Sequence, residues 1–305
     1  MNTDIKSKTH LTCLICNSAL IVPMADFKEN FLQKCLSCGF VFCGPVPTQE
    51  ELVEHYKGYT RNDDISPITI KRYHKLLDGF EKYRKHNRII DVGCGNGHFL
   101  KVALSRGWEV YGTEFTDEAI LECTRKNINM KKGALNQDDY EAGFFDIITS
   151  FEVLEHINNP LEEIKKFKSI LRTGGLIYLT TPNFNSLSRY YLRQKWTVIE
   201  YPEHLSYYTA KTLRLLFEKS GFQMKKIEAT GISVGRINEA KETALKEDST
   251  PHTFRTDDEL IRKKIEDNSL LKFAVYSANT ILSTFKVGDS LKGYFIKNES
   301  KKGSE

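Results

Sequence analysis

Three glycines within five residues, Gly93, Gly95 and Gly97, stand between a short apolar strand at 88–92 (RIIDV) and a helical stripe of Phe99, Leu100, Ala103 and Leu104. A glycine turn between strand and helix lets backbone amides approach a ligand closely, and it favours folds in which a parallel strand feeds a crossover helix. The rest of the chain keeps that rhythm. Strand patterns at 109–114 (EVYGTE), 144–151 (FFDIITSF), 176–182 (LIYLTTP) and 222–230 (FQMKKIEAT) alternate with helices opened by Thr116, by Asn159-Pro160 and by Thr209. Gly174-Gly175 and Gly221 read as helix stops. The alternation predicts a doubly wound α/β sheet. An amphipathic helix over 67–86, carried by Tyr73, Leu76, Leu77, Phe80 and Tyr83, leads into it. Near the C-terminal end, 231–287 reads as a helical insertion, with helices at 238–247, 256–267 and 268–285, before a final strand at 291–298 (LKGYFIKN).

The spacing of the turn narrows the ligand. A dinucleotide-binding GxGxxG needs a third glycine at the position held by His98. Asp91 ends the first strand and Glu114 ends the second, an arrangement suited to a ligand with free ribose hydroxyls and a cationic centre and no pyrophosphate. S-adenosylmethionine meets that description.

The segments IIDVGCGNGHFL, Glu114, FFDIITSFEVLEHI and LRTGGLIYLTTPN together resemble motifs of class I S-adenosylmethionine-dependent methyltransferases over about 88–230. That resemblance implies a Rossmann-like sheet of seven strands and a cofactor site residue by residue. Asp91, Gly93 and Gly95 would line the methionine moiety, Glu114 would hold the ribose, and Asn136 to Asp138 would lie near adenine. Cys94, Gly97, Phe115, Leu135 and Phe151 complete the expected cofactor set. Many relatives carry an acid directly after the glycine matching Gly133; here Ala134 stands there, and backbone groups at Leu135 are the substitute.

Cys13, Cys16, Cys35 and Cys38 form two CxxC pairs separated by eighteen residues, followed by Asn17-Ser18 and Gly39. This is zinc-ribbon spacing, and a closed four-sulfur site would substitute for a core in a segment with few apolar residues. Cys43 is a spare or alternative ligand. The chain thus divides into a zinc-ribbon-like segment at 1–46, a connector and helical cap at 47–87 with a short helix at 48–57, and a methyltransferase domain at 88–305. The ribbon, the PTQEEL connector and the KW, PEHLSYYT and VGDSLKG segments also resemble bacterial methyltransferases of polysaccharide and modified-sugar biosynthesis.

The loop after the FFDIITSF strand carries Glu152, Glu155 and His156, and His204 lies in PEHLSYYT. Ligands in such sheets bind at the C-terminal ends of the strands, so these four residues are the candidates for catalysis. They read in three ways: ligands of a divalent ion, a general base at His156 or His204, or residues that shape the pocket. The ExxEH pattern resembles both small-RNA 3′-terminal 2′-O-methyltransferases and ubiquinone-pathway O-methyltransferases. Tyr56, Tyr59, Trp196, Tyr201 and Tyr207 are expected either as aromatic walls for an acceptor or as core.

The formal net charge of +4, with no long basic block, gives no strong nucleic-acid signal. The longest apolar stretch, 270–285, is broken by Lys272 and several polar residues and falls short of a membrane span. The first ten residues lack the sections of a secretory signal, so the expectation is a cytoplasmic protein. The function expected is O-methylation of a small molecule or glycan precursor. Alternatives are a zinc-ribbon nucleic-acid-binding protein or RNA methyltransferase, a sugar C-methyltransferase, and a quinone-type O-methyltransferase.

Overall fold

The computed structural model describes residues 8–48, 50–52, 65–242, 265 and 268–298. Three short strands open the chain: β1 (Ile21–Pro23), β2 (Leu32–Cys35) and β3 (Val41–Cys43), paired antiparallel in that order. The two cysteine pairs sit at the turns of this ribbon, where Asn17 and Gly39 take the left-handed conformation that each knuckle requires. Of the connector, residues 50–52 are helical, and Tyr56 and Tyr59 lie outside the described residues.

Helix α1 (Pro67–Phe80) begins at Ser66, whose hydroxyl accepts the Thr69 N–H, with proline at the first helical position. It ends at Phe80 and tightens into a 3₁₀ turn at Glu81–Tyr83, so the sequence pattern over 67–86 overran the α-helix. Beyond it, β4 (Arg88–Val92), α2 (His98–Ser105), β5 (Glu109–Glu114), α3 (Asp117–Arg125), β6 (Asn129–Lys132), β7 (Phe145–Phe151), α4 (Pro160–Ile170) and β8 (Leu171–Pro182) alternate. Then follow α5 (Leu187–Leu192), β9 (Ser206–Tyr207), α6 (Ala210–Lys219), β10 (Phe222–Thr230), α7 (Val234–Glu242), α8 (Ser269–Phe285) and β11 (Ser290–Lys297). The main sheet runs β10-β11-β8-β7-β4-β5-β6, with β11 antiparallel to both neighbours and the strands from β8 to β6 parallel. This is the doubly wound, Rossmann-like sheet the alternation predicted. Of the insertion, α8 matches the expected 268–285 helix. The expected 238–247 helix appears as α7, shifted toward the N-terminus, and the 256–267 segment falls almost wholly outside the described residues.

Apolar stripes cover both faces of the sheet. Leu77, Phe80, Phe99, Leu100 and Trp108 fill one side, and Ile164, Phe167, Leu213, Leu216 and Phe217 fill the other. Burying side chains of this size stabilises the fold by roughly 1.5–3 kcal/mol each. Gly174 and Gly175 do not close α4, which ends at Ile170. They form an irregularity at the start of β8, where pairing steps from Phe145–Leu171 to Ile147–Leu176. A Cβ on Gly175 would lie 2.9 Å from the carbonyl oxygens of Asp146 and Arg172, so the strand can approach there only without a side chain.

The ribbon does not stand apart. Its strand β3 pairs with β9, so the small sheet has the order β1-β2-β3-β9 and its last strand comes from the segment that follows β8 and α5. Phe40 stacks on Phe42 and packs against Tyr208, whose hydroxyl reaches the Leu154 carbonyl at 3.5 Å.

Candidate active site

The candidate cofactor half is built by β4, β5 and the turn between β4 and α2. Gly93, Gly95 and Gly97 all have positive φ (73°, 55° and 70°), and the N–H groups of Gly93 and Cys94 both donate to the Thr113 carbonyl at 3.0 Å. Glu114 is buried and clamps the turn: one carboxylate oxygen accepts the Gly95 N–H at 2.9 Å and the other the Phe115 N–H at 2.8 Å. A carboxylate offers about four lone-pair sites, the kind of acceptor that ribose hydroxyls require. Asp91 is 2% exposed and accepts the Thr149 hydroxyl at 2.8 Å. Burial, opposed by Thr149 and reinforced by the charge of Glu114, pushes its carboxyl up to about 7. A carboxylate held in that condition is stabilised by an arriving cation, which the ammonium group of an amino-acid moiety supplies. These features fit S-adenosylmethionine.

The expected cofactor residues do not all present side chains to this cleft. The Cys94 sulfur turns away, toward Met130 at 3.9 Å and Cys123 at 4.0 Å, so only its backbone borders the turn. Gly97 is packed from behind, since a Cβ there would lie 2.5 Å from Ile128 and 2.7 Å from the Cys123 sulfur. Leu135 is buried in the core, whereas Asn136 is exposed and its side chain accepts the Asp138 N–H, opening a 3₁₀ turn at Gln137–Asp139. The Gly133 N–H donates to the Glu114 carbonyl, which sets this turn beside the ribose-side carboxylate. Phe115 is exposed, and Phe151 joins an aromatic cluster with Tyr73, Phe99 and Tyr178. Tyr73 packs on Phe151 and lies near Asp91, and burial, then the Asp91 charge, push its phenol up to about 12. The sequence showed it only as one position of an amphipathic stripe.

The candidate acceptor half begins directly after β7. Glu152 takes φ 52°, its N–H donates to the Thr180 carbonyl at 3.0 Å, and a 3₁₀ turn at Leu154–His156 follows. Val153 touches the cofactor turn, because a Cβ on Gly93 would fall 2.6 Å from it. The two halves therefore meet at Gly93 and Val153. Glu155 is 2% exposed and accepts the Thr181 hydroxyl at 2.9 Å; burial first, then the Glu152 charge, holds its carboxyl well above the usual carboxylate range.

His156 and His204 face one another with ring centroids 4.7 Å apart. Nδ1 of His156 lies 2.8 Å from the Glu203 carbonyl and Nδ1 of His204 lies 2.6 Å from the Val198 carbonyl. A carbonyl only accepts, so each Nδ1 carries a proton. Burial, followed by the neighbouring His204, lowers the His156 pKa below the ordinary value of 6.5. Glu155, His156 and His204 each bring a ligand atom within 4.8 Å of the others. Fixing Nδ1 on a carbonyl is how metal-ligating histidines are commonly oriented, and it equally suits a general base.

His204 is held by the ribbon. The Leu205 N–H donates to the Glu155 carbonyl at 2.8 Å, the Cys43 N–H donates to the Leu205 carbonyl at 2.9 Å, and the Cys43 thiol reaches the His204 carbonyl. Cys43 thus serves the docking strand and is no spare ligand. The other four cysteines converge, with all sulfurs within 4.8 Å and the Cys13–Cys38 and Cys16–Cys35 separations both 3.5 Å. A tetrahedral zinc with Zn–S of 2.3 Å needs sulfurs about 3.8 Å apart, so the set fits zinc. The aromatic-wall expectation divides: Trp196 and Tyr207 are buried core residues, whereas Tyr201 is half-buried, with its ring against Phe31 and its hydroxyl on Glu51.

A family model described as a methyltransferase domain matches residues 68–227, a little over half of the chain. The chain belongs to the methyltransferase-domain family. Among curated proteins this methyltransferase is similar to ubiquinone biosynthesis O-methyltransferases. It is 27% identical over 139 residues to that of Nitrosomonas europaea, covering 42% of this chain and 56% of the relative. It is 30% identical over 127 residues to that of Coxiella burnetii, covering 40% and 52%. The chain spans about half the length of these relatives. Among solved structures, a SAM-dependent methyltransferase from Archaeoglobus fulgidus aligns with a TM-score of 0.50 at 18% identity, over 81% of this chain and 98% of that one. Phosphoethanolamine N-methyltransferase 2 of Haemonchus contortus, in complex with S-adenosyl-L-methionine, aligns at 0.51 and 16% identity, over 85% and 63%. Those likenesses are of fold, and the fold is that of class I S-adenosylmethionine-dependent methyltransferases.

Proposed function

We propose that this methyltransferase moves the methyl group of S-adenosylmethionine to a hydroxyl oxygen of a small-molecule acceptor, and that the acceptor is a glycan or glycolipid precursor. The observation that carries oxygen as the atom attacked is the histidine pair beside Val153: two facing rings, each with Nδ1 fixed on a backbone carbonyl, the pKa of His156 being lowered by burial. A hydroxyl needs its proton removed as it attacks, and a base of this kind contributes about 10² to 10⁴ in rate. The relatives' names as O-methyltransferases support the same reading, and the sequence resemblance to modified-sugar enzymes supports the acceptor class.

When bound, the cofactor supplies an electrophilic methyl on a sulfonium. Asp91 would hold its amino-acid end, Glu114 its ribose, and the exposed Phe115 with the 136–138 turn its base. Holding two reactants in line is worth up to about 7–11 kcal/mol in well-oriented systems, so positioning supplies the larger share of the rate. The protein's own proton step is transfer from the acceptor hydroxyl to Nε2 of His156 or His204. Glu155, its carboxyl raised by burial and by the Glu152 charge, and Glu152 itself flank the pair. Where a divalent ion is used, Glu155, His156 and His204 would hold it, with Glu152 beside them, and it would lower the acceptor pKa in place of the base. The four ribbon cysteines would hold a structural zinc.

Incubation of the protein with methyl-labelled cofactor and extracts of sugar precursors, with and without a chelator, tests the reading. Label in an O-methyl sugar that survives chelation supports the base, and label lost on chelation supports the metal. Label appearing only on nitrogen or carbon would overturn it.

A further inference from the structure

Of the seven cysteines, four converge in the ribbon and Cys43 holds the docking strand; the remaining two, Cys94 and Cys123, are 29 residues apart in the chain and meet behind the glycine turn. Their sulfurs are 4.0 Å apart. Cys94 stands in the turn between two glycines of positive φ, Gly93 and Gly95, so its backbone can shift, whereas Cys123 is fixed on α3. A disulfide places its sulfurs roughly 2.05 Å apart, and closing the pair therefore asks for a combined movement of about 2 Å.

The same two sulfurs hold the turn. The Gly95 carbonyl lies 3.3 Å from the Cys123 sulfur and 3.6 Å from that of Cys94, and since a carbonyl only accepts, a thiol proton points at it. Gly95 is thus gripped from two sides, its N–H by Glu114 at 2.9 Å and its carbonyl by the thiols. A disulfide has no S–H to donate. Oxidation takes that donor away and draws Cys94, the residue before the Glu114 clamp, toward α3.

The two thiols titrate as a pair. The hydrogen bond from Cys94, opposed by burial and aided by the Lys126 charge, lowers the Cys123 pKa, while Cys123 and burial together raise that of Cys94. The first proton leaves more readily than from an ordinary thiol, and the charge it leaves rests on two touching sulfurs. Cys94 is partly exposed and Cys123 is 0% exposed, so the pair combines thiolate character with access where neither cysteine has both.

We infer that Cys94 and Cys123 close into a reversible disulfide under hydrogen peroxide, and that this disulfide disables the cofactor turn. A thiolate of the pair attacks one peroxide oxygen, the O–O bond breaks, and hydroxide leaves with a sulfenic acid formed on sulfur. The second sulfur, as thiolate, attacks the first and expels another hydroxide. Each hydroxide takes up a proton, so two thiols and one peroxide give one disulfide and two waters, with two electrons passing from sulfur to oxygen. The effect on cofactor rests on the proposed S-adenosylmethionine site, whereas formation of the disulfide does not.

The test treats the full chain with hydrogen peroxide and maps its unreduced peptides by mass spectrometry. A peptide pair joined through Cys94 and Cys123, lighter by two hydrogens than its parts, is expected. Affinity for S-adenosylhomocysteine by calorimetry should weaken about tenfold or more, as loss of a hydrogen bond to a charged group implies, and dithiothreitol should restore it. Cys123→Ala keeps every ribbon cysteine; reduced, it should bind within about threefold of the wild type, and peroxide should not weaken it further. Cys123→Ser, closer in shape, repeats the comparison if the alanine variant melts early. Absence of the linked peptide would overturn the inference whatever the cofactor does. So would a linked peptide with unchanged affinity, or an equal loss of affinity in the Cys123 variants after peroxide. A reduced wild type that fails to bind S-adenosylhomocysteine would count against the cofactor site, and the peptide map would still decide the disulfide.

Discussion

Two buried aspartates at opposite ends of the same sheet are treated in opposite ways. Asp146 opens β7 at the N-terminal edge. Its Oδ2 accepts N–H bonds from Lys85, His86 and Asn87 at 2.7–3.0 Å, and Arg172 pairs with Oδ1 at 2.5 Å. Burial alone would raise its carboxyl, but Arg172 and the amides hold it below the ordinary 3.8. Asp91 ends β4 at the C-terminal edge, with the Thr149 hydroxyl as its hydrogen-bond donor, and burial pushes it up to about 7. The first carboxylate is saturated by the protein; the second is left for a ligand to satisfy. Saturation marks a structural group and deprivation marks a site, a distinction that burial by itself does not make.

The largest effect expected is on the acceptor side of the C-terminal edge. His156→Ala or His204→Ala should lower turnover by about 10² to 10⁴ while S-adenosylhomocysteine affinity by calorimetry stays near that of the wild type. In the wild type, kcat/KM should fall only as pH drops below the ordinary histidine value, because the His156 pKa is lowered and the neutral ring is the active form. Near-normal turnover in both variants would leave the pair a purely structural role.

At the other edge, Asp146→Ala leaves the Arg172 guanidinium, 15% exposed, without its carboxylate. Removing one partner of a buried pair costs about 3–5 kcal/mol, so the variant should melt far lower in a thermal scan. The two aspartates also oppose each other in pH dependence. Asp146, with its folded pKa depressed, contributes stability that is lost as pH falls below 3.8. Asp91, with its folded pKa raised, contributes stability that is lost as pH rises from 3.8 through about 7 while no cation is present. Binding of the cofactor should therefore favour the ionised form, and affinity for S-adenosylhomocysteine should be about tenfold weaker at about pH 6 than at about pH 8. Asp91→Asn should flatten that dependence and lower affinity at about pH 8 by about tenfold or more. A pH-independent affinity in the wild type would remove Asp91 from the cofactor site.

The difference between the two halves of the site also decided what could be read from the sequence. The cofactor half is local: Asp91, the three glycines and Glu114 lie within 24 residues, and a glycine spacing that one sheet type requires is visible without coordinates. The acceptor half is assembled from distant pieces. Glu152, Glu155 and His156 announce themselves as a cluster, but the pairing of β3 with β9 joins residues more than 160 apart through a two-residue strand, and no periodicity signals it. The same holds for Asp146, whose partners are backbone amides of a loop, and for Gly174-Gly175, which local pattern reads as a helix stop because the close approach of β7 is a tertiary fact. Thr116 likewise looks like a cap, yet its side chain makes no capping bond, whereas Thr209 and Thr212 form a full capping box.

The ribbon sharpens the comparison, since it contacts the acceptor half through Cys43, Leu205 and Glu155 and, among the described residues, makes no such hydrogen-bonded bridge to the glycine turn. Cys35→Ser should release the zinc expected at the four cysteines, measurable by metal analysis. Turnover should then fall several-fold through a displaced His204, and S-adenosylhomocysteine affinity should change little. Equal losses in turnover and affinity would mean that the ribbon supports the whole domain and not one half of the site.

The smallest effect belongs to Cys94, which lies inside the cofactor turn in sequence but presents only backbone to the cleft. Its sulfur packs behind the turn against Cys123 and Met130, and a Cβ on Gly112 would lie 2.7 Å from it, so the thiol fills a space between β5 and the turn. Cys94→Ala removes that one atom. The loss is packing, about 1 kcal/mol, read as a drop of a few degrees in melting temperature. Affinity for S-adenosylhomocysteine should stay within about threefold, because the amides and the Glu114 clamp are untouched. A collapse of binding in Cys94→Ala, with melting little altered, would mean that the turn is aimed differently and that the contrast between a backbone-built cofactor half and a side-chain-built acceptor half is wrong.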